Sequence, residues 1–405
     1  MQSEWLSFDE VVQAYRECRL GKRASIHQTR FEAHLGRNLL ELYRDLLSEK
    51  YRPSPVVCFV VTKPKPREIF AAHFRDRIVH HIVVSRLTPI WERKFIHSSF
   101  ACRSGKGTHG ALRYFQKTAR EISQGGILPV YALQLDLASF FVTIHRPTLC
   151  SLLTKGLKDG CWMRLIQTLY LTDGRLGAIR KGAFFDLIPK EKSWFSQKKD
   201  QGIPIGNLIS QFGANVYLTE LDHLIQRKLK PSAYIRYMDD LLLLDTDPER
   251  LRPLEAIVND WLEAHRQQSL NPRKTRLSRL DGGIEFLGYR CMQVNSPKEP
   301  LQLFLKPNKK WEWIKTLREM AAIDFQSERT HPLSMRIESA TTQRALSRMN
   351  SKLGFLKHAE TFQLRKKSID KLVDDLSEFP GLPSQLGEAW SPLKARRDYR
   401  AIRRR

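Results

Sequence analysis

Two adjacent carboxylates interrupt an apolar stretch in the second half of this 405-residue chain. They belong to the tetrapeptide Tyr237-Met238-Asp239-Asp240, which follows an apolar run at 233–235 and precedes four leucines at 241–244. Apolar runs on both sides of a short polar break predict a β-hairpin with buried strands and the two acids at its turn. Buried, unpaired carboxylates are costly or take up protons. The pair therefore predicts a bound cation; the alternative is a surface hairpin with solvated acids.

A third acid, Asp136, ends a second apolar segment at 130–135. If that strand lies beside the hairpin, Asp136 and Asp239 meet at one edge of a sheet, and Asp240 supports them because side chains alternate along a strand. Oxygen ligands of this kind suit Mg²⁺, with Mn²⁺ as a substitute. Two ions about 3.5–4 Å apart can activate a hydroxyl and stabilise a leaving pyrophosphate. Taken alone, Asp136 is also consistent with a helix cap.

The charge of the chain narrows the range of partners. A formal net charge of +25 predicts a polyanionic partner, either nucleic acid or an anionic membrane surface. No apolar run approaches the roughly 20 residues that span a bilayer, and the N-terminus has no secretory pattern. The six cysteines are scattered singly, which argues against zinc and suits a reducing cytosol. We therefore expect a cytoplasmic protein that binds nucleic acid.

Hydrophobic periodicity divides the chain into helical and extended segments. Helices are expected at 8–50, 77–95, 213–229, 249–266 and 308–377, strands at 56–61 and 130–136, the hairpin at 233–245, a strand pair at 284–304, and a loop-rich insertion at 173–201. This order predicts an α+β unit in which helices back an antiparallel sheet.

These motifs resemble those of a reverse transcriptase, whose palm carries an Asp-x₄-aromatic motif, here Asp136 with Phe141, and a Tyr-x-Asp-Asp hairpin. The resemblance covers roughly residues 8–370 and implies a right-hand polymerase fold, with fingers, a palm of antiparallel sheet and helices, and a small helical thumb. The implied subdomains are N-terminal helices and fingers at 1–128, the first part of the palm at 129–149, a fingers/palm insertion at 150–200, the palm with hairpin and primer grip at 201–300, the thumb at 301–377 and a basic tail at 378–405.

The same resemblance implies a role for each matching residue. The implied catalytic and metal-binding residues are Asp136, Leu137, Asp239, Asp240 and, as general acid for pyrophosphate, Lys274. The implied nucleotide-binding residues are Lys65, Arg67, Arg103, Phe141, Ile205, Gly206 and Gln211. The implied primer- and template-binding residues are Tyr237, Met238, Leu287, Gly288, Tyr289, Gly354, Lys357 and His358. Simpler interpretations stay open: Lys274 as a surface lysine, Phe141 and Tyr289 as core residues, and Lys65 and Arg67 as solvated charges.

The segment Ile205-Gly206-x-x-x-Ser210-Gln211 resembles the reverse transcriptases of diversity-generating retroelements, found in bacteria and their phages. Most reverse transcriptases have a glutamine where Ile205 stands, and an isoleucine offers shape but no hydrogen bond, which weakens discrimination. The resemblance implies error-prone copying opposite adenine; the alternative is that Ile205 only packs beneath Gly206.

Members of that group act on dNTPs with a structured template RNA, its cDNA/RNA heteroduplex and a small helical accessory protein that forms a ring; no membrane is involved. Two other functions stay open: a defence-associated or retron-like reverse transcriptase, and a catalytically dead RNA scaffold. The three intact acids argue against the scaffold. The Arg-rich tail either binds RNA or maintains solubility.

Overall fold

The computed structural model describes residues 5–20, 25–296 and 300–306, with five further positions between 309 and 315. The chain separates into two compact units, Met1–Phe115 with Tyr131–Leu277 and Gln116–Val130 with Ser278–Arg405. Most of the predicted thumb and the whole basic tail lie outside the described residues, and so do Gly354, Lys357 and His358. The fold is mixed α and β, as expected.

Eleven α-helices lie in the described residues. They are α1 (Phe8–Arg19), α2 (Ile26–Glu32), α3 (Leu35–Leu47), α4 (Phe74–Glu92), α5 (Gly107–Ile122), α6 (Phe140–Thr143), α7 (Arg146–Thr154), α8 (Gly160–Leu171), α9 (Leu208–His223), α10 (Pro248–Leu251) and α11 (Leu254–Arg266). Ser7 and Glu10 form a capping box at the start of α1, which satisfies amide groups that have no partner within the helix. The predicted helix at 213–229 is confirmed, and α9 continues into a π-helical turn over Leu224–Leu229.

Within the part of the chain that the structure describes, ten strands form three sheets. The strands are β1 (Val57–Val61), β2 (Arg67–Ala71), β3 (Tyr131–Asp136), β4 (Ile179–Arg180), β5 (Ala233–Tyr237), β6 (Asp240–Asp245), β7 (Arg276–Arg279), β8 (Ile284–Phe286), β9 (Tyr289–Gln293) and β10 (Leu301–Leu305). Their orders are β2-β1-β4, β5-β6-β3-β7 and β10-β9-β8. The predicted hairpin is confirmed as β5 and β6, whereas the strand pair expected at 284–304 is a three-stranded sheet.

The strand β6 lies between β5 and β3, and it pairs antiparallel with both. Its leucines at 241–244 are almost fully buried, because a central strand covered on both faces has no solvated side. Helix α9 is buried along most of its length and packs with α4 and α7 in the main hydrophobic core. The middle of the four-stranded sheet is therefore buried in the hydrophobic core, and the ends of β3 and β6 extend from it.

None of the helices in the described part of the chain combines the length and the apolar character that a membrane crossing requires.

Candidate active site

The register of two neighbouring strands brings two of the predicted acids together. Asp136 is the last residue of β3 and Asp240 is the first residue of β6, and the two are direct partners in the antiparallel ladder. Directly opposed residues project from the same face of a sheet. Asp239 precedes Asp240 in the turn of the hairpin. The expected meeting of Asp136 with the hairpin acids at one edge of the sheet is thus confirmed, while their roles stay predictions.

The three acids differ in their surroundings. Asp136 is buried, Asp239 is half-buried and the Asp240 side chain reaches solvent. Sequence reasoning ranked Asp239 above Asp240 as the partner of Asp136, yet the ladder places Asp240 directly opposite Asp136. The reason is that the two-residue turn ends before Asp240, which is therefore already part of the paired strand.

Negative charge accumulates where these acids meet. Desolvation by the surrounding protein, followed by the charges of Asp239 and Asp136, raises the pKa of Asp240 to about 7. Desolvation and the charge of Asp136 also raise the pKa of Asp239, and the positive charges of Lys274 and Arg67 partly oppose this rise. Carboxylates that are held together in this way favour a proton or a cation.

Lys274 supplies one such cation. Its ammonium Nζ lies 2.6 Å from Asp136 Oδ1, and its side chain is half exposed. The Asn271 amide N–H donates to the Asp136 carbonyl at 2.7 Å, and Asn271 Nδ2 lies 3.4 Å from Asp136 Oδ2. Sequence reasoning assigned no role to Asn271, although an Asn-Pro pair just before a predicted catalytic lysine indicates a turn that could position it.

The donor set fits Mg²⁺, with the substrate completing the coordination. Among the described residues, no group of three or more His, Cys, Asp and Glu side chains is arranged to hold a metal ion by itself. Mg²⁺ is usually bound by one or two carboxylates, with water and substrate phosphates as the other ligands. The bridge between Leu137 and Leu270 uses the Ala138 amide and the Asp136 carbonyl, so these bonds do not occupy the Leu137 carbonyl.

The predicted nucleotide-binding segment runs beside β2. The Phe70 amide donates to the Ile205 carbonyl at 3.0 Å, and Asn207 Nδ2 donates to the Phe70 carbonyl at 3.0 Å. Gly206 has φ +103°, and a Cβ there would lie 3.0 Å from Ile69 Cγ2, so glycine suits both the backbone conformation and the space. Ile205 is half-buried and packs against the small cluster of Cys58, Phe70, Val142 and Trp194.

The other residues predicted to bind the nucleotide lie at exposed or half-buried positions. Lys65 and Arg67 are exposed, and Arg67 acts electrostatically on Asp239. Phe141 is half-buried in α6, where its carbonyl accepts from the Ile203 amide at 2.9 Å and its ring meets Phe140 edge-on. Gln211 is half-buried in the first turn of α9. Arg67 thus lies near the acids, and Phe141 is tied to the segment that leads to Ile205.

The structure argues against a direct nucleotide contact by Arg103. The Arg103 side chain is 6% exposed, and its guanidinium forms a bidentate ion pair with Glu92 and donates to the carbonyls of Ile96 and Ser99. It also lies over the Phe95 ring, 5.2 Å from the centroid. These contacts use all three guanidinium nitrogens, and they give Arg103 a structural role between α4 and the following loop. The sequence could not distinguish this arginine from a phosphate ligand because both roles require the same side chain.

The predicted hairpin contacts fall in different surroundings. Tyr237 is half-buried, and its hydroxyl lies 3.0 Å from Thr108 Oγ1; Met238 packs partly against the main core.

In the second unit, Leu287 and Gly288 form the turn between β8 and β9, both with positive φ, as a type I′ turn requires. Tyr289 is fully buried, which supports its packing role.

Sequence reasoning missed the residues that shape the 173–201 insertion. Glu68 accepts from Ser193 Oγ at 2.6 Å and from the Trp194 amide at 2.9 Å. Arg146 and Arg175 donate to backbone carbonyls between residues 194 and 202. Their partners are backbone groups far away in sequence, so no local pattern identifies them.

Carboxylates meet at the ends of adjacent strands, on a sheet backed by helices and near cationic side chains, which is an arrangement that a template-directed polymerase can use to hold metal ions. The family described as "Reverse transcriptase (RNA-dependent DNA polymerase)" matches residues 61–291, more than half of the chain. The chain therefore belongs to the reverse transcriptase family, with its RNA-dependent DNA polymerase domain and right-hand fold.

Among curated relatives, Protein YkfC of Escherichia coli K12 is 25% identical over 307 residues, which is 67% of this chain and 75% of that protein. The group II intron-encoded protein LtrA of Lactococcus lactis is 26% identical over 197 residues, 47% of this chain but only 28% of LtrA. A truncated apo telomerase of Candida tropicalis superimposes with a TM-score of 0.43 at 11% identity, over 65% of this chain and 59% of that one; this likeness is too low to support any inference. The chain thus spans most of YkfC and about a quarter of LtrA.

Proposed function

We propose that the protein synthesises cDNA on a structured template RNA by two-metal nucleotidyl transfer, in a diversity-generating retroelement. The observation that carries the catalytic part is the β3–β6 register, which places Asp136 opposite Asp240 beside the Asp239 turn. The polymerase family match over residues 61–291 supports the reaction class. The net charge of +25 supports a nucleic-acid partner, because phosphate neutralisation dominates such binding.

Asp136, Asp239, Asp240 and the Leu137 carbonyl would hold two Mg²⁺ ions, with Mn²⁺ as a substitute. When bound, such ions lower the pKa of the primer 3′-hydroxyl and neutralise charge on the transferred phosphate. Lys274 would act as general acid, since its ammonium already lies at the acid cluster, 2.6 Å from Asp136. Protonation of the leaving pyrophosphate by such a group commonly contributes about 10²–10⁴-fold in rate.

Lys65 and Arg67 would bind the triphosphate of the incoming nucleotide, because positioned cations are the recurring means of stabilising phosphoryl transfer. Phe141 would lie under the sugar and exclude a 2′-hydroxyl by its bulk. Gly206 would let the backbone approach the nucleotide, flanked by Ile205 and Gln211. Tyr237 and Met238 would support the primer end. The Leu287-Gly288 turn of the second unit is proposed as a primer contact only on its resemblance to the primer-grip motif.

A primer-extension assay on an RNA template tests the catalytic proposal. The double variant Asp239→Ala/Asp240→Ala removes both hairpin carboxylates and is expected to abolish extension. Asp260→Asn, on the exposed face of α11, serves as a matched loss of one carboxylate and is expected to extend like the wild type. Undiminished extension by the double variant would contradict the mechanism.

The error-prone function rests on Ile205. Its side chain packs against the Phe70 and Trp194 cluster, and because isoleucine has no hydrogen-bonding group, it would have none with which to reward correct pairing. Ile205→Gln is expected to lower misincorporation opposite template adenine, by a factor on the order of the 5- to 10-fold that one net hydrogen bond provides. Ile205→Leu, which stays apolar, is the matched control and keeps the wild-type spectrum. Identical error spectra for the two variants would refute the role of Ile205.

The similarity to a group II intron-encoded protein supports a second candidate, an intron-type or retron-like reverse transcriptase that copies its RNA faithfully. Sequencing the cDNA made on a defined RNA separates the two: errors concentrated at template adenines support the retroelement, and a low, even error rate supports the second candidate. The structured RNA and the ring-forming accessory protein belong to the first proposal, and co-purification of both with the full chain tests them.

A further inference from the structure

A fully buried ion pair lies beneath the acid-bearing hairpin. Arg236, next to last in β5, and Asp222, near the end of α9, both have 0% side-chain exposure. Arg236 Nε donates to Asp222 Oδ1 at 2.8 Å, and Nη2 donates to Oδ2 at 2.7 Å. The Tyr234 hydroxyl donates to Asp222 Oδ1 at 2.8 Å. The carboxylate is thus held by a two-point fork and a hydroxyl, an arrangement in which the guanidinium has one orientation.

The remaining guanidinium nitrogen reaches the turn itself. Arg236 Nη1 donates to the Met238 carbonyl at 3.2 Å and to Asn215 Oδ1 at 2.9 Å. Met238 has φ +60°, a left-handed conformation that is unfavourable for a side chain of this size and persists only where the surroundings enforce it. Met238 immediately precedes Asp239, so the contact acts on the peptide that leads into the acids.

The backbone of Arg236 is fixed as well. Its amide donates to the Ser98 carbonyl at 2.9 Å, and its own carbonyl accepts from the Phe100 amide at 3.0 Å. Asn215 Nδ2 donates to the Ala101 carbonyl at 2.8 Å. Arg236 therefore joins the hairpin, helix α9 and the 98–101 segment, and its Nη1 is aimed at the strained turn.

We infer that Arg236 is a positioning residue for nucleotidyl transfer: fixed by Asp222 and Asn215, it holds the Met238 carbonyl and thereby the turn that presents Asp239 and Asp240. The inference rests on the proposed function of those acids. A buried ion pair is not required for stability, because apolar residues of similar volume often serve equally well. An apolar pair, however, supplies no donor to the Met238 carbonyl. A planar guanidinium with five N–H donors can hydrogen-bond to Asp222, Asn215 and Met238 at the same time, which a lysine ammonium cannot do in this geometry.

The test is Arg236→Lys in the full chain, which keeps the charge beside Asp222 but loses the fork. We expect the single-turnover rate at saturating dNTP to fall at least tenfold and the half-saturating Mg²⁺ concentration to rise several-fold. The dissociation constant for primer–template should stay within twofold, because the variant leaves the exposed surface unchanged. A merely structural role would lower the melting temperature without moving the Mg²⁺ dependence.

Arg266→Lys is the matched control. Arg266, at the end of α11, is 4% exposed, pairs with Glu220 of α9 and donates to the Tyr217 carbonyl; among the described residues, its side-chain hydrogen bonds and ion pair do not involve the hairpin. We expect it to lower the melting temperature comparably and to keep both the rate and the Mg²⁺ dependence. A folded Arg236→Lys protein with wild-type kinetics, or equal kinetic losses in both variants, would overturn the inference.

Asp222→Asn decides the matter if Arg236→Lys does not fold. It keeps the guanidinium and the side-chain size but removes the charge that fixes the fork, so we expect the same kinetic changes at smaller amplitude; wild-type kinetics would overturn the inference. Failure of the proposed function is separately visible: the wild type would not extend a primer, or Asp239→Ala/Asp240→Ala would still do so.

Discussion

Asp240 is expected to destabilise the metal-free protein, so Asp240→Asn should stabilise it while abolishing polymerisation. The pKa of Asp240 is raised from 3.8 to about 7 by desolvation and by the charges of Asp239 and Asp136. One pKa unit corresponds to about 1.4 kcal/mol, which sets an upper limit of about 4 kcal/mol on the cost of ionising this group in the folded state. Because the side chain reaches solvent, screening reduces the expected gain to about 1–2 kcal/mol.

The sign of the pH dependence follows from proton binding. Between pH 3.8 and 7 the folded state holds a proton on Asp240 that the unfolded state has released, so the contribution of this group to stability is lost as the pH rises through this interval. The destabilisation is complete above about pH 7 and absent below about pH 4. Replacing Asp240 with asparagine removes this dependence, and the advantage of the variant should therefore be largest at pH 8 and shrink toward pH 5.

Urea unfolding in EDTA at pH 8 and pH 5, for the wild type and Asp240→Asn, measures the effect. Mg²⁺ added at pH 8 should raise the wild-type midpoint more than that of the variant, since a bound cation offsets the same repulsion. Asp260→Asn controls for the general loss of one negative charge. A variant less stable than the wild type in EDTA at pH 8, or a gain that does not depend on pH, would refute the electrostatic reasoning.

Three further changes follow from particular contacts. Gly202→Ala should cost several kcal/mol and lower the melting temperature, because the new Cβ would lie 2.0 Å from Trp194 Nε1 at a φ of +88°; an unchanged melting temperature would show that the loop can move aside. Glu68→Gln should cost about 1–3 kcal/mol by weakening the bonds from Ser193 and Trp194, measured by urea unfolding, and equal midpoints would contradict it. Lys274→Ala should lower the single-turnover rate about 10²-fold or more at saturating dNTP and Mg²⁺, and an unchanged rate would exclude a general-acid role.

Local patterns were sufficient to predict the strands and the turn that carry the three acids. The apolar runs on either side of Asp239 and Asp240 specify two strands and the turn between them, and four consecutive leucines indicate a strand covered on both faces. The end of β3 at Asp136 follows from the same pattern. In each case the signal lies within a few residues of the element it predicts.

The interactions that surround the acids could not be predicted in this way, because their partners are distant in sequence. Asp136 and Lys274 are 138 residues apart, and Glu68 and Ser193 are 125 residues apart. Arg103 shows the same difficulty: its motif predicts a phosphate ligand, but in the structure its guanidinium is paired with Glu92, 11 residues earlier in the chain. The sequence shows that these side chains are charged, but only the fold determines which partner each of them contacts.

The contrast between the two sides of the hairpin explains how one turn can hold so much negative charge. On its outer side, desolvation and the charge of Asp136 raise the pKa of Asp239, and desolvation with the charges of Asp239 and Asp136 raises the pKa of Asp240. The half-exposed Lys274 and the exposed Arg67 oppose these rises only partly. On its inner side, Arg236 and Asp222 form an ion pair that is fully buried, and the leucines of β6 are buried as well. A substrate would not need to displace any group of the buried Arg236–Asp222 pair. The turn can therefore keep its position while the three outer carboxylates exchange the Lys274 ammonium or a proton for another cation. A hairpin held only by its outer ion pairs would lose its position each time those partners changed.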